Sequence, residues 1–292
     1  MGSLSFTAID VETANADTAS ICQIGLAVVH DGELKEVISE IINPEDYFDP
    51  AFIGKHGISE ADVLDKPTFD EFFPSLTDTA GPFPLVSHTF YDRTALKRAC
   101  ERYGCTPISN SWIDSATVAR RCWPEQFGTT GYGLKNIANS FAIEFRHHDA
   151  GEDARVAAEI LLRAVATGAF DFDDWAANGP PRRKSSYFGY SPPIKLDGNP
   201  DGALYGQQVV FTGQLTVPRA EAAKRAAEVG LFVHPSVTKK TSLVVVGDQD
   251  IRRAEWGEKS TKRRKAEELI AKGLDIRILS ERDFFDLIDA YR

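Results

Sequence analysis

The sequence predicts two α/β units in one chain: a mixed sheet covered by helices, then a smaller alternating unit. Three observations lead there. Strand-like alternation dominates the first 42 residues, helical periodicity then alternates with short apolar runs, and residues 171–202 carry Pro pairs and polar residues in place of any period. The length agrees, because 292 residues at roughly 150 per domain make two domains. At 42% hydrophobic and 26% charged residues the composition is that of a globular chain and excludes pervasive disorder.

Residues 4–11, 21–30 and 33–42 read as strands, and Asp31-Gly32 supplies a tight hairpin between the second and third. Helical patterns follow at 69–78 and 91–103, with a short apolar run at 84–87, a strand at 112–114, and helices at 134–141 and 151–166. Strands first, then helix alternating with strand, is the order of a mixed sheet with helices on its faces. Residues 1–170 form the first domain, 171–202 a flexible linker marked by Asn178-Gly179-Pro180-Pro181 and Ser191-Pro192-Pro193, and 203–292 the second domain. Its strands are expected at 208–212, 243–246 and 276–279. Its helices are expected at 218–229, begun by Pro218 and stopped by Gly230, at 262–272, closed by Gly273, and at 280–291, capped by Ser280.

The net charge of −10 is unevenly spread. Residues 203–292 hold 16 Lys and Arg against 13 Asp and Glu, whereas residues 1–170 hold 13 against 25. A front domain at −12 repels a polyanion unless bound cations or a basic neighbour offset it, and the back domain, at +3, is such a neighbour. No apolar run of about 18 residues occurs, and the first six residues carry neither a basic region nor an apolar signal core. The expected location is therefore cytoplasmic, at the nucleoid, with no membrane partner. Cys22, Cys100, Cys105 and Cys122 lack the close pairing of a zinc or redox motif, and are expected to be small buried hydrophobes.

Strand periodicity puts Asp10 and Glu12 on one face with Phe6 and Ala8, and Ile9 and Val11 on the other. Asp92 leads the apolar stripe Ala95, Leu96, Ala99 and Cys100, and Asp153 leads Val156, Ala157, Ile160, Leu161 and Ala164. An acid in the first turn of a helix is equally accounted for as a macrodipole partner, so Asp92 or Asp153 alone decides nothing. Asp10 with Glu12 is different: two adjacent buried carboxylates with no Lys or Arg nearby in sequence need a cation. Oxygen donors at this density suit Mg²⁺ or Mn²⁺ rather than Zn²⁺, and two such ions held by four acids are a recurrent arrangement for in-line phosphoryl displacement.

Three motifs occur in order: Asp10-Val11-Glu12-Thr13, then His88-Thr89-Phe90-Tyr91-Asp92, then His148 with Asp153 five residues on. With them residues 4–167 resemble the DEDDh 3′-to-5′ exonucleases, which include the proofreading epsilon subunit of bacterial replicative DNA polymerase. His56-Gly57-Ile58 followed by Pro67 and Phe69 is similar to the family's segment between the first two motifs. Tyr91 stands where the family usually has Phe, and Gly151 where a larger apolar residue is common. The resemblance implies an RNase H-like sheet and two divalent metal ions, Mg²⁺ or Mn²⁺, held by Asp10, Glu12, Asp92 and Asp153, with Asp10 bridging both. It implies His148 as general base, since an imidazole titrates close to working pH, and release of 5′-mononucleotides from single-stranded 3′ ends of DNA in repair or proofreading. By the same analogy the Thr13 backbone N–H contacts the terminal nucleotide, His56 touches substrate or merely packs, and His88 supports the substrate site. His147 lacks the motif spacing.

In the back domain the carrying residues are Val209-Val210-Phe211-Thr212-Gly213-Gln214-Leu215, Arg219, Gly230, Ser236 to Thr241 leading into Leu243 to Gly247, and Lys262 with Lys265-Ala266. These resemble a BRCT domain, most closely the type that ends bacterial NAD-dependent DNA ligases, with Phe284 or Phe285 in place of the usual Trp of the last helix. The Thr212 hydroxyl, the Gly213 N–H and the ammonium of Lys262 or Lys265 are natural donors to a phosphate, so a phosphate or a protein is the expected partner of this domain. Equally, Gly213 serves a tight turn and the lysines form a solvated helix face. Lys239, Lys240, Arg252, Arg253, Arg263 and Arg264 add a basic surface that grips DNA without reading its sequence. The same four acids serve RNA as well as DNA. An adaptor that only binds ends is the contrasting possibility, and a complete acid set with His148 argues against it.

Overall fold

A strand that buries both faces needs a layer on each side, and β1 (Phe6–Thr13) is such a strand, buried along its whole length. In the computed structural model it lies at the centre of a sheet ordered β3-β2-β1-β4-β5, with β2 at Ile21–His30, β3 at Glu33–Ile41, β4 at Leu85–Ser87 and β5 at Trp112–Asp114. The structure describes residues 4–128, 130–180, 194–213, 215–247, 260–289 and 291. By Cα proximity they fall into two units, Met1–Pro181 and Arg182–Arg292. The first three strands run antiparallel, and β4 and β5 run parallel to β1. The β2–β3 hairpin turns on Asp31 (φ 53°) and Gly32 (φ 78°), the double positive φ that matches the twist of the strands it joins.

Helices α1 (Pro50–His56), α2 (Glu60–Val63), α3 (Phe69–Ala80), α4 (Tyr91–Tyr103), α5 (Ser115–Cys122), α6 (Pro124–Phe127), α7 (Leu134–Ser140), α8 (Ala150–Ala166) and α9 (Phe172–Asn178) connect and cover this sheet. Phe6 and Ala8 pack with Val156, Ile160 and Leu161 of α8 in one core cluster. Ile9 and Val11 pack with Phe69, Leu76, Ala95 and Leu96 of α3 and α4 in another. Asp10 and Glu12 share the face of Phe6 and Ala8, so strand alternation delivers both acids to the side that α8 covers.

The first turn of α8 is seated by the absence of side chains. A Cβ on Gly25 of β2 would fall 1.9 Å from the Ala150 carbonyl oxygen, and one on Gly151 would fall 2.9 Å from Ser39 Cβ. This accounts for the small residue at Gly151, where the family commonly has a larger one. Asp149 caps the helix by accepting from the Gly151 N–H at 3.1 Å, and Gln23 Oε1 accepts from the Ala150 N–H at 3.2 Å. Together these contacts set the position of Asp153 against β1.

The second unit has a parallel sheet ordered β7-β6-β8-β9, with β6 at Gln208–Thr212, β7 at Phe232–Val233, β8 at Leu243–Val246 and β9 at Arg277–Ser280. Its helices are α10 (Arg219–Glu228), α11 (Thr261–Ile270) and α12 (Glu281–Asp289). β8 is buried throughout, as a parallel strand covered on both faces must be. Phe284 of α12 is fully buried and meets Phe211 edge-on at 5.2 Å, whereas Phe285 lies under the Arg225 guanidinium at 4.3 Å. Of the two candidates for the place of the usual Trp, Phe284 is the one in the core.

Structured chain enters the stretch expected to be a linker from both ends. α9 buries Phe172 and Trp175, and its N-cap Asp171 accepts from the Asp174 N–H at 2.9 Å; two aromatics three apart are too short a pattern to register as a period. From the other side Leu196 bridges to Val233 and Ile194 packs on the second core. Cys22 and Cys100 are buried as expected, but Cys105 and Cys122 are half-buried, which corrects the expectation for those two. Gln214, Arg252, Arg253 and residues 181–193 lie outside the described residues. Among the described residues no helix is long and apolar enough to cross a membrane.

Gly25→Ala is expected to push α8 off β2, since the added methyl meets backbone rather than a yielding side chain. The overpacking cost is about 1–3 kcal/mol, read as a lowered urea midpoint at unchanged slope. An unchanged midpoint would show that α8 does not rest on this contact.

Candidate active site

The C-terminal half of β1 outruns β4. The parallel ladder between them pairs Thr7 with Leu85 and Ala8 with Val86, and β4 ends at Ser87. Beyond it the Val11 N–H donates to Asp92 Oδ1 at 3.1 Å, so a carboxylate from the first turn of α4 replaces the missing strand carbonyl. Asp92 is thus buried as a substitute ladder acceptor, which a macrodipole role alone does not explain.

Asp10, Glu12 and Asp153 converge at this end of β1. One oxygen from each lies within 4.8 Å of the other two, and the three residues are 1%, 3% and 0% exposed. Asp92 stands outside this trio, held on the Val11 amide. His148 Nδ1 lies 3.3 Å from Glu12 Oε1, and the His148 N–H donates to Asp153 Oδ2 at 3.3 Å. Its φ of 70° is left-handed, a conformation that costs a non-glycine residue roughly 1–3 kcal/mol and is retained where the surroundings over-determine it.

Other expected residues are used differently. His56 Nδ1 accepts from the Ile58 N–H at 3.0 Å, which leaves Nε2 protonated and donating to the Thr13 carbonyl at 3.2 Å. Burial pushes the His56 imidazole below its usual range, against the opposing pull of Glu12, so it is a neutral brace for Thr13. His88 is similarly engaged at both nitrogens, 2.8 Å from Ser115 Oγ and 2.9 Å from the Tyr132 carbonyl. Neither ring presents a nitrogen to a nucleotide in this arrangement. Thr13 Oγ1 lies 3.0 Å from the Tyr91 hydroxyl, a tie between the first and second motifs that the usual Phe could not make.

Sequence reasoning missed Lys55. From α1 its ammonium reaches within 3.9 Å of Glu12 Oε2, with side-chain exposures of 10% and 3%, so a half-buried cation does stand at these acids. Forty-three positions separate the two residues in sequence, and the only local signal was its place beside His56-Gly57-Ile58. In the second unit Thr212 Oγ1 meets Ser260 Oγ at 2.9 Å, and Lys262 Nζ donates to the Phe211 carbonyl at 3.0 Å. Gly213 has φ 77°, the tight turn of the plainer alternative. Thr212, Gly213 and Lys262 are brought together, with Ser260 as a fourth member that sequence reasoning passed over; Lys265 is exposed on the same helix.

The exonuclease family model matches residues 7–161, more than half of the chain. The chain belongs to the exonuclease family. A BRCT (BRCA1 C Terminus) domain model matches residues 199–288, and the two units are accordingly an RNase H-like exonuclease domain and a BRCT domain. The DNA polymerase III subunit epsilon of Aquifex aeolicus is 30% identical over 165 residues, which cover 55% of this chain and 80% of that protein. The PolC-type DNA polymerase III of Caldanaerobacter subterraneus subsp. tengcongensis is 25% identical over 164 residues, and the match spans only 11% of that protein's length. Among solved structures, exonuclease X in complex with 5′ overhanging duplex DNA aligns with a TM-score of 0.47 at 23% identity, covering 59% of this chain and 97% of that one.

Lys55 neutralises Glu12 and repels an incoming cation, so Lys55→Met is expected to tighten binding of Mn²⁺ by roughly threefold or more, measured by titration of free Mn²⁺ with the full chain. Unchanged or weaker binding would show that the ammonium does not compete with a cation at Glu12.

Proposed function

We propose that the chain is a metal-dependent 3′-to-5′ exonuclease that releases 5′-mononucleotides from DNA ends and is held on its substrate by the BRCT domain. The observation that carries this is the convergence of Asp10, Glu12 and Asp153 at the end of β1 with His148 against Glu12. The donor set fits Mg²⁺ or Mn²⁺: all oxygen, buried, and acidic, with the Lys55 ammonium beside Glu12. Asp10, Glu12 and Asp153 would hold the ions, with Asp10 shared, and Asp92 would support the second. When bound, two such ions supply positive charge at the attacking water, the phosphate and the leaving 3′ oxygen.

The chain's own residues do the rest. An ionised Glu12 only accepts, so the 3.3 Å contact places a proton on His148 Nδ1 and the lone pair on Nε2. Nε2 then takes the proton of the attacking water, and Glu12 steadies the imidazolium. The Thr13 backbone N–H, at the irregularity of β1 between Glu12 and Thr13, contacts the terminal nucleotide, with His56 bracing the Thr13 carbonyl and Tyr91 its hydroxyl, while His88 holds the Tyr132 carbonyl.

For the BRCT domain we propose the NAD-dependent ligase type, in keeping with Phe284 at the Trp position, and a phosphate-binding role for Thr212, Gly213 and Lys262 with Lys265 at its rim. Exposed Lys239, Lys240 and Arg264 support a sequence-independent grip on DNA, and work at the nucleoid follows from that partner. Lys239→Glu with Lys240→Glu is expected to weaken single-stranded DNA binding severalfold and to lower the slope of log affinity against log salt by about 1. Binding with an unaltered slope would remove these lysines from the interface.

The direct test is digestion of 5′-labelled DNA and RNA of equal sequence with Mg²⁺, Mn²⁺ or EDTA. A descending ladder on DNA is expected with metal only, abolished in Asp10→Ala and slowed about 10²–10⁴-fold in His148→Ala. Faster digestion of RNA would reassign the substrate, and no cleavage of either polymer would overturn the exonuclease reading in favour of an end-binding adaptor.

A further inference from the structure

Beside the all-oxygen trio stands a donor set of different chemistry. His147 Nε2 lies 4.0 Å from Asp153 Oδ2, and the His147 ring lies against that of His148, tilted by 42°, with centroids 4.0 Å apart. One ligand atom from each of His147, His148 and Asp153 lies within 4.8 Å of the other two. Phe145 holds His147 edge-on at 5.5 Å, and the His147 side chain keeps 16% exposure, enough for an ion to reach it from solvent.

We propose that His147, His148 and Asp153 form a site for a borderline divalent ion of the Zn²⁺ class, and that its occupation inhibits the exonuclease. Two imidazoles and one carboxylate are a donor set that Zn²⁺ accepts, with a fourth position left to water. Tetrahedral ligands at zinc distances stand about 3.3 Å apart, so the three ligand atoms, now within 4.8 Å of one another, draw closer on binding. Mg²⁺ prefers the oxygen trio, whereas imidazole donors favour Zn²⁺ over Mg²⁺ and Mn²⁺. The two sets share Asp153. An ion on the histidine side therefore withdraws an acid from the oxygen trio and engages a lone pair of His148. Inhibition rests on the catalytic reading given above; the binding itself does not.

The test titrates Zn²⁺ alone into the full chain, without nucleic acid, against a chromophoric zinc indicator. Wild type is expected to bind one Zn²⁺ at micromolar concentration or tighter, His147→Asn to bind at least tenfold more weakly, and Asp10→Ala to bind like wild type. Equal affinity in wild type and His147→Asn overturns the proposal. So does affinity lost in Asp10→Ala and kept in His147→Asn, which would place the ion among the carboxylates. A Cys105→Ser, Cys122→Ser variant that loses zinc while His147→Asn keeps it would overturn it in favour of the thiols. In a parallel arm, Zn²⁺ is expected to inhibit Mg²⁺-driven digestion by wild type, with at least tenfold more needed for His147→Asn. Should neither protein digest nucleic acid, the catalytic reading fails while the titration still decides the site.

Discussion

Three carboxylates buried together at the end of β1 govern this molecule. Asp10, Glu12 and Asp153 lie within 4.8 Å of one another and nearly out of water, where their mutual repulsion is far less screened than on a surface. Nothing in hydrophobic packing favours that arrangement. It persists because rigid elements impose it: β1 sits at the centre of the sheet, and α8 is seated on Gly25 with its first turn capped by Asp149 and Gln23. A site that holds acids together by scaffold geometry is preorganised for a cation before the cation arrives.

The fourth acid solves a different problem with the same chemistry. Where β4 stops, the exposed edge of β1 leaves Val11 with an amide that must be satisfied, and Asp92 satisfies it. One carboxylate oxygen is committed to the backbone, which fixes the side chain against β1. The tie between Tyr91 and Thr13 lies one residue before Asp92 and one after Glu12. Motif residues that look independent in sequence are thus fastened to the same two turns of chain.

Most of the sheet was legible because its signals are local. Alternation marked β1 to β3, Asp31-Gly32 marked the hairpin, and the stripes behind Asp92 and Asp153 marked α4 and α8. The short helices α1, α2, α5, α6 and α9 were not legible, since four to eight residues span too few turns for periodicity to separate from noise. The acids were legible as motifs. Their electrostatic partner was not: Lys55 reaches Glu12 through tertiary folding, and the expectation of no nearby base was true of the sequence and false in space. His56 and His88 show the same limit. In sequence His56 was open between touching substrate and packing and His88 read as a supporting group, and only the fold shows which groups of the chain their nitrogens meet.

The acidic balance of the front domain also looks different once placed. Glu33, Glu36 and Glu40 lie on β3, an edge strand exposed along most of its length and two strands away from β1. Two inter-strand spacings amount to roughly 10 Å, about a Debye length at physiological salt. Glu36 pairs with Val28, which pairs with Thr7, so it and Glu33 lie toward the opposite end of β1 from Glu12. Glu40, by way of Ile24 and Val11, is the acid of this row that lies level with the site. Water and salt therefore screen much of the charge that a count over residues 1–170 records, while the buried trio is screened by neither. Net charge describes the first group, and the chemistry belongs to the second. A polyanion approaching this end of the sheet meets acids that bound cations can neutralise, rather than the sum of the domain.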